Sequence, residues 1–287
     1  MKIDPVVVYV KLPPGTSAKQ VFTIGNGGTQ ALHLKISRRE AWHAPDGSRI
    51  FPEPGDSPQG LANWLSLPIS SKLRVPPGGS VSFQGVVSVP PDALPRTYLG
   101  GYALSVDDSS RDDGAEAPPD TTTMGAKVIA GVMLLVHVDV RPAGAPPPTV
   151  DVEIAEQKIE APQGGRPLSV KLRLLNRSEY EVKPVGTLAI FDRTGKIVGK
   201  AEFTPTALWP GQQLWYDAVY AEHLAPGRYS GLVAFGLQDP SGSGEAYSAP
   251  PLQRKVDFEI GQPTLKPPDR PAAVPAPPKA GNKKHGA

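Results

Sequence analysis

The sequence contains no cysteine and no long apolar run. The missing cysteine excludes disulfide bonds, thiolate zinc sites and cysteine nucleophiles, and it fits either side of a membrane. The longest apolar stretch, residues 128–138, falls short of the roughly 20 residues that a membrane-spanning helix needs. Gly131 and His137 also interrupt it. The sequence therefore predicts no transmembrane segment.

An excess of charge of one sign is also missing. The chain has 30 Lys and Arg against 28 Asp and Glu, a formal net charge of +2, and the basic residues are spread along its length. Binding along a phosphate backbone needs a basic patch or stripe, which this pattern does not supply. We therefore expect no nucleic acid partner.

Recognisable catalytic and metal-binding motifs are absent as well. The five histidines are scattered without metal-ligand spacing, and the acidic residues of segment 107–123 lack the spacing of a calcium-binding loop. No Gly-x-Ser-x-Gly motif occurs, and the glycine clusters do not have the context of phosphate-binding loops. We expect no enzyme activity, no cofactor and no metal, and we interpret segment 107–123 as a mobile solvated loop.

Proline and glycine, by contrast, are abundant. The 35 Pro and 30 Gly lie mostly between short apolar runs, which favours strands and turns over helices. In residues 31–38 the apolar side chains Leu32, Leu34 and Ile36 alternate with polar ones, at the period of two that a half-buried strand shows. Many such runs at short spacing predict an all-β protein built of β-sandwiches.

A length of 287 residues favours two domains. The Pro-rich segment 142–148 is a natural linker, so we place the first domain at 1–141 and the second at 149–260. Residues 261–287 are rich in Pro, Ala, Lys and Gly, which predicts a disordered tail. The predicted fold is two tandem immunoglobulin-like β-sandwiches with that tail.

The first half resembles the PapD-like immunoglobulin domains of bacterial surface and periplasmic proteins. The runs VFTIGNGG and ALHLKI, followed by the segment with Val89, Pro90, Tyr98, Gly100 and Gly101, are similar to WxL-interacting proteins and pilus assembly chaperones. In the second half, LAIFDRTGKIVGKAEF and LAPGRYSGLVAF resemble fibronectin-like or BsuPI-like domains. The resemblance implies an extracytoplasmic protein, in the periplasm or on the cell surface, whose signal peptide is no longer present.

The resemblance to chaperones also implies how a partner would be bound. In those proteins basic residues on the first strand and on the long apolar strand grip a pilin carboxylate. Here Lys2 or Lys11 and Lys127 are the nearest equivalents, since residues 5–10 contain no arginine. The apolar strand 127–140 could complement a partner's unfinished sheet. The predicted partner-binding residues are Lys127, Val128, Ala130, Val132, Leu134 and Val136.

Four tryptophans are candidates for ligand contacts. Trp42, Trp64, Trp209 and Trp215 could each stack on a sugar. Trp64 and Trp215 fit core or interdomain packing at least as well, whereas Trp42, at a strand end, is the best candidate for an exposed aromatic contact. Two functions follow from these observations. The leading hypothesis is a non-catalytic scaffold that binds a surface protein or a glycan through its first domain. The alternative is a pilus assembly chaperone that donates strand 127–140 to a subunit.

Overall fold

The computed structural model describes residues 1–57, 59–66, 70–107, 131–162 and 166–261, and these residues form strands with one short 3₁₀ turn. Most of the predicted loop 107–123, the start of the predicted strand 127–140 and almost all of the predicted tail therefore lie outside the described residues. Within the described part of the chain, no helix has the length and apolarity needed to cross a membrane.

The described residues of the first domain form ten strands. Their bounds are β1 (Lys2–Asp4), β2 (Val7–Leu12), β3 (Ser17–Gly25), β4 (Leu32–Glu40), β5 (Trp42–His43), β6 (Arg49–Ile50), β7 (Lys72–Val75), β8 (Ser80–Ser88), β9 (Thr97–Val106) and β10 (Gly131–Val140). One sheet has the order β1-β3-β8 and the other β2-β10-β9-β4-β7. The chain crosses from the first sheet to the second between β1 and β2, at the cis Asp4–Pro5 peptide bond. The two sheets enclose one hydrophobic core and form an immunoglobulin-like β-sandwich.

Alternation along the strands builds the core of this first sandwich. Leu34 and Ile36 of β4 are buried together with residues of the opposite sheet, as their spacing predicted. Phe22, Phe83 and Tyr102 form an aromatic cluster at the centre, with ring centroids 5.2 to 5.6 Å apart. Such clusters contribute more than the apolar area they bury, because edge-to-face contacts between rings are themselves favourable.

In the part of the second domain that the structure describes there are seven strands. Their bounds are β11 (Val152–Glu160), β12 (Leu168–Asn176), β13 (Lys183–Phe191), β14 (Ile197–Glu202), β15 (Gln213–Tyr220), β16 (Gly227–Gln238) and β17 (Leu252–Ile260). They form the sheets β11-β12-β15 and β14-β13-β16-β17, which enclose a separate hydrophobic core. The prediction of two tandem immunoglobulin-like sandwiches is confirmed. The predicted linker 142–148 lies between the end of β10 and the start of β11.

Candidate functional site

Strand β10 contains the predicted partner-binding residues that the structure describes. Leu134 and Val136 are fully buried in the core of the first domain, and Val132 packs against the same core. Their side chains therefore face the inside of their own sandwich and are not presented to a partner. Lys127, Val128 and Ala130 lie outside the described residues.

The backbone of β10 is paired on both sides along its later residues and on one side along its first residues. Residues 135–140 lie between β9, which pairs with them antiparallel, and β2, which pairs with them in parallel. Among the described residues, Gly131–Leu134 pair with β9 alone. The amide of Leu135 donates to Val6 O on the β2 side, at 2.8 Å. Because strand residues alternate in direction, the amides of Gly131 and Met133 point to that same side. In the described chain, this stretch of β10 is thus an open sheet edge.

The opposite face of β10 packs against the second domain. Leu135 joins Ala41, Leu99 and Trp209 in a small buried cluster, and Trp209 is 0% exposed. The Trp209 ring meets the His137 ring edge to face at 6.1 Å, and the guanidinium of Arg49 lies 4.5 Å from the centre of the indole. Trp209 therefore packs between the two domains and is not available to stack on a sugar.

The hairpin β5–β6 adds a second contact between the domains. Its turn contains Gly47, whose carbonyl accepts a hydrogen bond from Gln212 Nε2 of the second domain at 2.8 Å. Gly47 has a φ of 86°, and a Cβ at this position would overlap the Gln213 carbonyl. Glycine is therefore required here both by the left-handed backbone and by the close approach of the Gln213 backbone.

A buried His–Glu pair lies beside this contact. His137 Nδ1 and Glu181 Oε2 are 2.6 Å apart, and the two side chains are 4% and 1% exposed. The Glu181 amide donates to Thr97 Oγ1, and Tyr9 packs on the imidazole with its ring centre 4.6 Å away. From the sequence, His137 is expected to be a surface or partly satisfied strand residue. The structure places it at the domain junction with an ionisable partner.

A network of ion pairs continues from this pair toward the surface. Lys11 Nζ lies 2.5 Å from carboxylate oxygens of both Asp239 and Glu245, and Arg141 contacts Asp139 at 2.9 Å and Glu245 at 3.2 Å. Burial opposes the charge on Lys11, but the hydrogen bonds to Asp239 and Glu245 outweigh it and raise the pKa of the ammonium. The resemblance to chaperones implies that Lys11 is one of the residues that could bind a partner's carboxylate. Lys11 is already neutralised by two carboxylates of its own chain.

A cavity of about 310 Å³ opens where the two domains meet. Residues of both domains line it, and most of them are polar: Tyr9, Val10, Lys11, Thr97, His137, Asp139, Glu181, Asp239, Pro240, Ser241, Ser243 and Tyr247. Sequence reasoning missed this site because its members come from β2, β9, β10 and three segments of the second domain. A histidine and an aspartate within the most apolar strand were one signal for it in the sequence.

Asp139 gives this site a pH dependence. Burial raises its pKa to about 6, and the nearby Arg141 and Lys11 only partly oppose the shift. The folded protein therefore binds more protons than the unfolded chain between about pH 4 and 6, so this carboxyl contributes stability at low pH that is lost as the pH rises through about 6. We expect the free energy of unfolding of the wild type to fall by about 2–3 kcal/mol relative to Asp139→Asn between about pH 4 and 7. Urea unfolding of both proteins across that pH range measures this difference in stability. Parallel pH profiles for the two proteins would contradict the raised pKa of Asp139.

The remaining tryptophans occupy three different environments. Trp42 is partly buried, stacks on His43 with ring centres 4.7 Å apart and pairs with Ile50. Trp64 is partly buried against the first core. Trp215 is 39% exposed, with Lys158 Nζ 4.5 Å from its ring centre. The core or interdomain position predicted for Trp215 is wrong, because alternation along β15 places it on the outer face opposite the buried Tyr216.

Neither a protein-family model nor a curated protein matches the chain. Among solved structures it is similar to the CupB2 chaperone of Pseudomonas aeruginosa, at 11% identity and a TM-score of 0.39, covering 91% of this chain and 100% of that one. It is also similar to the CsuC–CsuE chaperone–tip subunit pre-assembly complex of Acinetobacter baumannii, at 10% identity and a TM-score of 0.40, covering 91% and 99%. The assignment of two immunoglobulin-like sandwiches rests on the strand order and the two cores described above.

Proposed function

We propose that this chain is a non-catalytic, extracytoplasmic binding protein whose first domain captures an extended segment of a protein partner. The segment would add as a strand beside Gly131–Leu134 of β10, as an assembly chaperone holds a subunit whose sheet lacks a strand. The observation that carries the proposal is the open edge of β10 among the described residues. Main-chain hydrogen bonds to such an edge supply affinity without requiring that core side chains be released.

The open edge also indicates that the partner would meet the backbone at the start of β10, and not the apolar side chains that were predicted from the sequence. Leu134 and Val136 hold the first core, so polar substitutions there would unfold the domain and would not report on binding. The amides of Gly131 and Met133 are the groups that a partner strand would meet. The partly buried, stacked Trp42 offers little support for a glycan site, and the proposal is confined to a protein partner.

A proline at the open edge tests the proposal. Gly131→Pro removes an amide that faces the edge and leaves the ladder to β9 intact, because proline is tolerated on edge strands where its missing N–H faces solvent. We expect the variant to recover at least tenfold less of the purified partner in a pull-down. Met133 in the free protein should exchange its amide proton at least 100-fold faster than Leu134, and partner binding should slow it.

Arg74→Pro is the matched control. Arg74 lies on β7, the other edge of the same sheet, and the hydrogen bond from Ile36 to Ser71 places its amide on the outer side by alternation. This variant should bind the partner like the wild type. Equal partner recovery by both proline variants, with both folded, would contradict the proposed docking edge.

A further inference from the structure

We propose that the cavity between the two domains is a binding site for an organic cation, a guanidinium or an alkylammonium group. This inference concerns a different surface from the open edge of β10 and does not depend on it. It rests on the balance of charge around the cavity, on buried acceptors that lack donors, and on the aromatic side chains in its wall.

The charges around the cavity are unbalanced. Asp139, Glu181 and Asp239 line it and Glu245 lies next to it, whereas Lys11 and Arg141 are the cations of the network described above. Arg49, whose charge also acts on Tyr9 in the cavity wall, brings the cations to three against four carboxylates, with His137 not counted. Charges interact more strongly in a partly buried site than in water, so this excess of negative charge favours a cationic ligand.

Several buried acceptors at the cavity have no hydrogen-bond donor. Glu181 is 1% exposed, yet its Oε1 has no partner, and His137 Nε2 is also unpartnered. If the neutral imidazole donates from Nδ1 to Glu181, its Nε2 is left as an acceptor. Both oxygens of Asp139 also lack a hydrogen bond, because the contact with Arg141 is an ion pair without hydrogen-bond alignment.

Buried polar atoms in folded proteins are nearly always paired, and these acceptors, which belong to residues that line the cavity, are complementary to a ligand that carries donors. Guanidinium and ammonium groups carry donors only. Tyr9 and Tyr247 contribute aromatic side chains to the wall, and aromatic rings attract cations. A volume of about 310 Å³ suits a small group or one side chain, and the exposed Ser241 and Ser243 stand at the rim.

An isosteric pair of small probes tests the inference on the wild-type protein. Ethylguanidinium carries the charge and the donors, whereas ethylurea has nearly the same shape without the charge. In an NMR titration we expect ethylguanidinium to shift the amides of Thr97, Ser241 and Ser243, with an affinity at least tenfold above that of ethylurea. Equal affinities, or shifts confined to other parts of the protein, would overturn the inference.

Two further probes identify the source of the cation. A capped Gly-Arg-Gly peptide that binds at least as tightly as ethylguanidinium would indicate an arginine side chain of a partner chain. Binding of ethylguanidinium without binding of the peptide would indicate a free small cation. Acetate serves as the anionic probe, and acetate binding at the cavity in preference to both cations would overturn the inference.

Variants and pH then locate the site. Asp139→Asn should weaken ethylguanidinium binding at least fivefold, whereas Glu156→Gln, which alters an exposed ion pair with Arg173, should leave it unchanged. Asp139 is faced by Arg141, Lys11, Asp239 and Glu245, and its raised pKa predicts about tenfold weaker binding at pH 5 than at pH 7.5. Equal weakening by both variants, or the same affinity at both pH values, would overturn the assignment.

Discussion

Trp209→Ala is expected to lower the free energy of unfolding by about 3–5 kcal/mol, the range for truncating a large buried aromatic side chain. Trp209 is fully buried between the domains, where it contacts Leu135, His137 and Arg49. Its removal leaves a cavity at the contact that couples the two sandwiches. We therefore also expect urea unfolding, followed by circular dichroism and by tyrosine fluorescence, to separate into two transitions.

Trp215→Ala is the matched control. The same residue type is removed from the same domain, but from a surface position where Trp215 is 39% exposed and packs on Lys158. Its expected cost is below about 1 kcal/mol, as is usual for surface substitutions. If both tryptophan variants lost the same stability, or if Trp209→Ala unfolded in a single unshifted transition, the interdomain role of Trp209 would be wrong.

The strands of both domains could be predicted because alternation is a local property. Leu32, Leu34 and Ile36 share a face in the sequence pattern, and Leu34 and Ile36 are buried in the core. The same pattern grouped Val132, Leu134 and Val136. Alternation shows that these residues lie on one face, but it does not show whether that face covers the protein's own core or a partner.

The domain junction could not be predicted, because its contacts join residues far apart in the chain. His137 and Glu181 are separated by 44 positions, and Lys11 and Glu245 by 234. Strand β10 did carry a signal, since it is apolar at both odd and even positions, which is typical of a strand buried on both faces. Its even residues fill the first core, and Leu135 packs on Trp209.

Strand β10 therefore links the two proposed surfaces. Its first residues form the open edge, and its later residues hold His137 and Asp139 at the interdomain cavity. A change in the packing of the two domains would act on both through one strand. The contacts that β10 makes with the second domain are therefore expected to contribute to the free energy of unfolding.

Glu181→Ala tests that junction at the buried His137–Glu181 pair. Removing the carboxylate leaves His137 Nδ1 without its partner in a site where both side chains are at most 4% exposed. Leaving a buried polar group without its partner costs about 1–3 kcal/mol and the cavity left by the side chain adds to this, so the expected loss is about 2–4 kcal/mol. Glu181→Gln keeps an oxygen that can accept from Nδ1, so its expected cost is only about 1–2 kcal/mol. Urea unfolding at pH 7 measures both variants. Equal losses would show that the contact with His137 contributes nothing beyond the volume of the side chain.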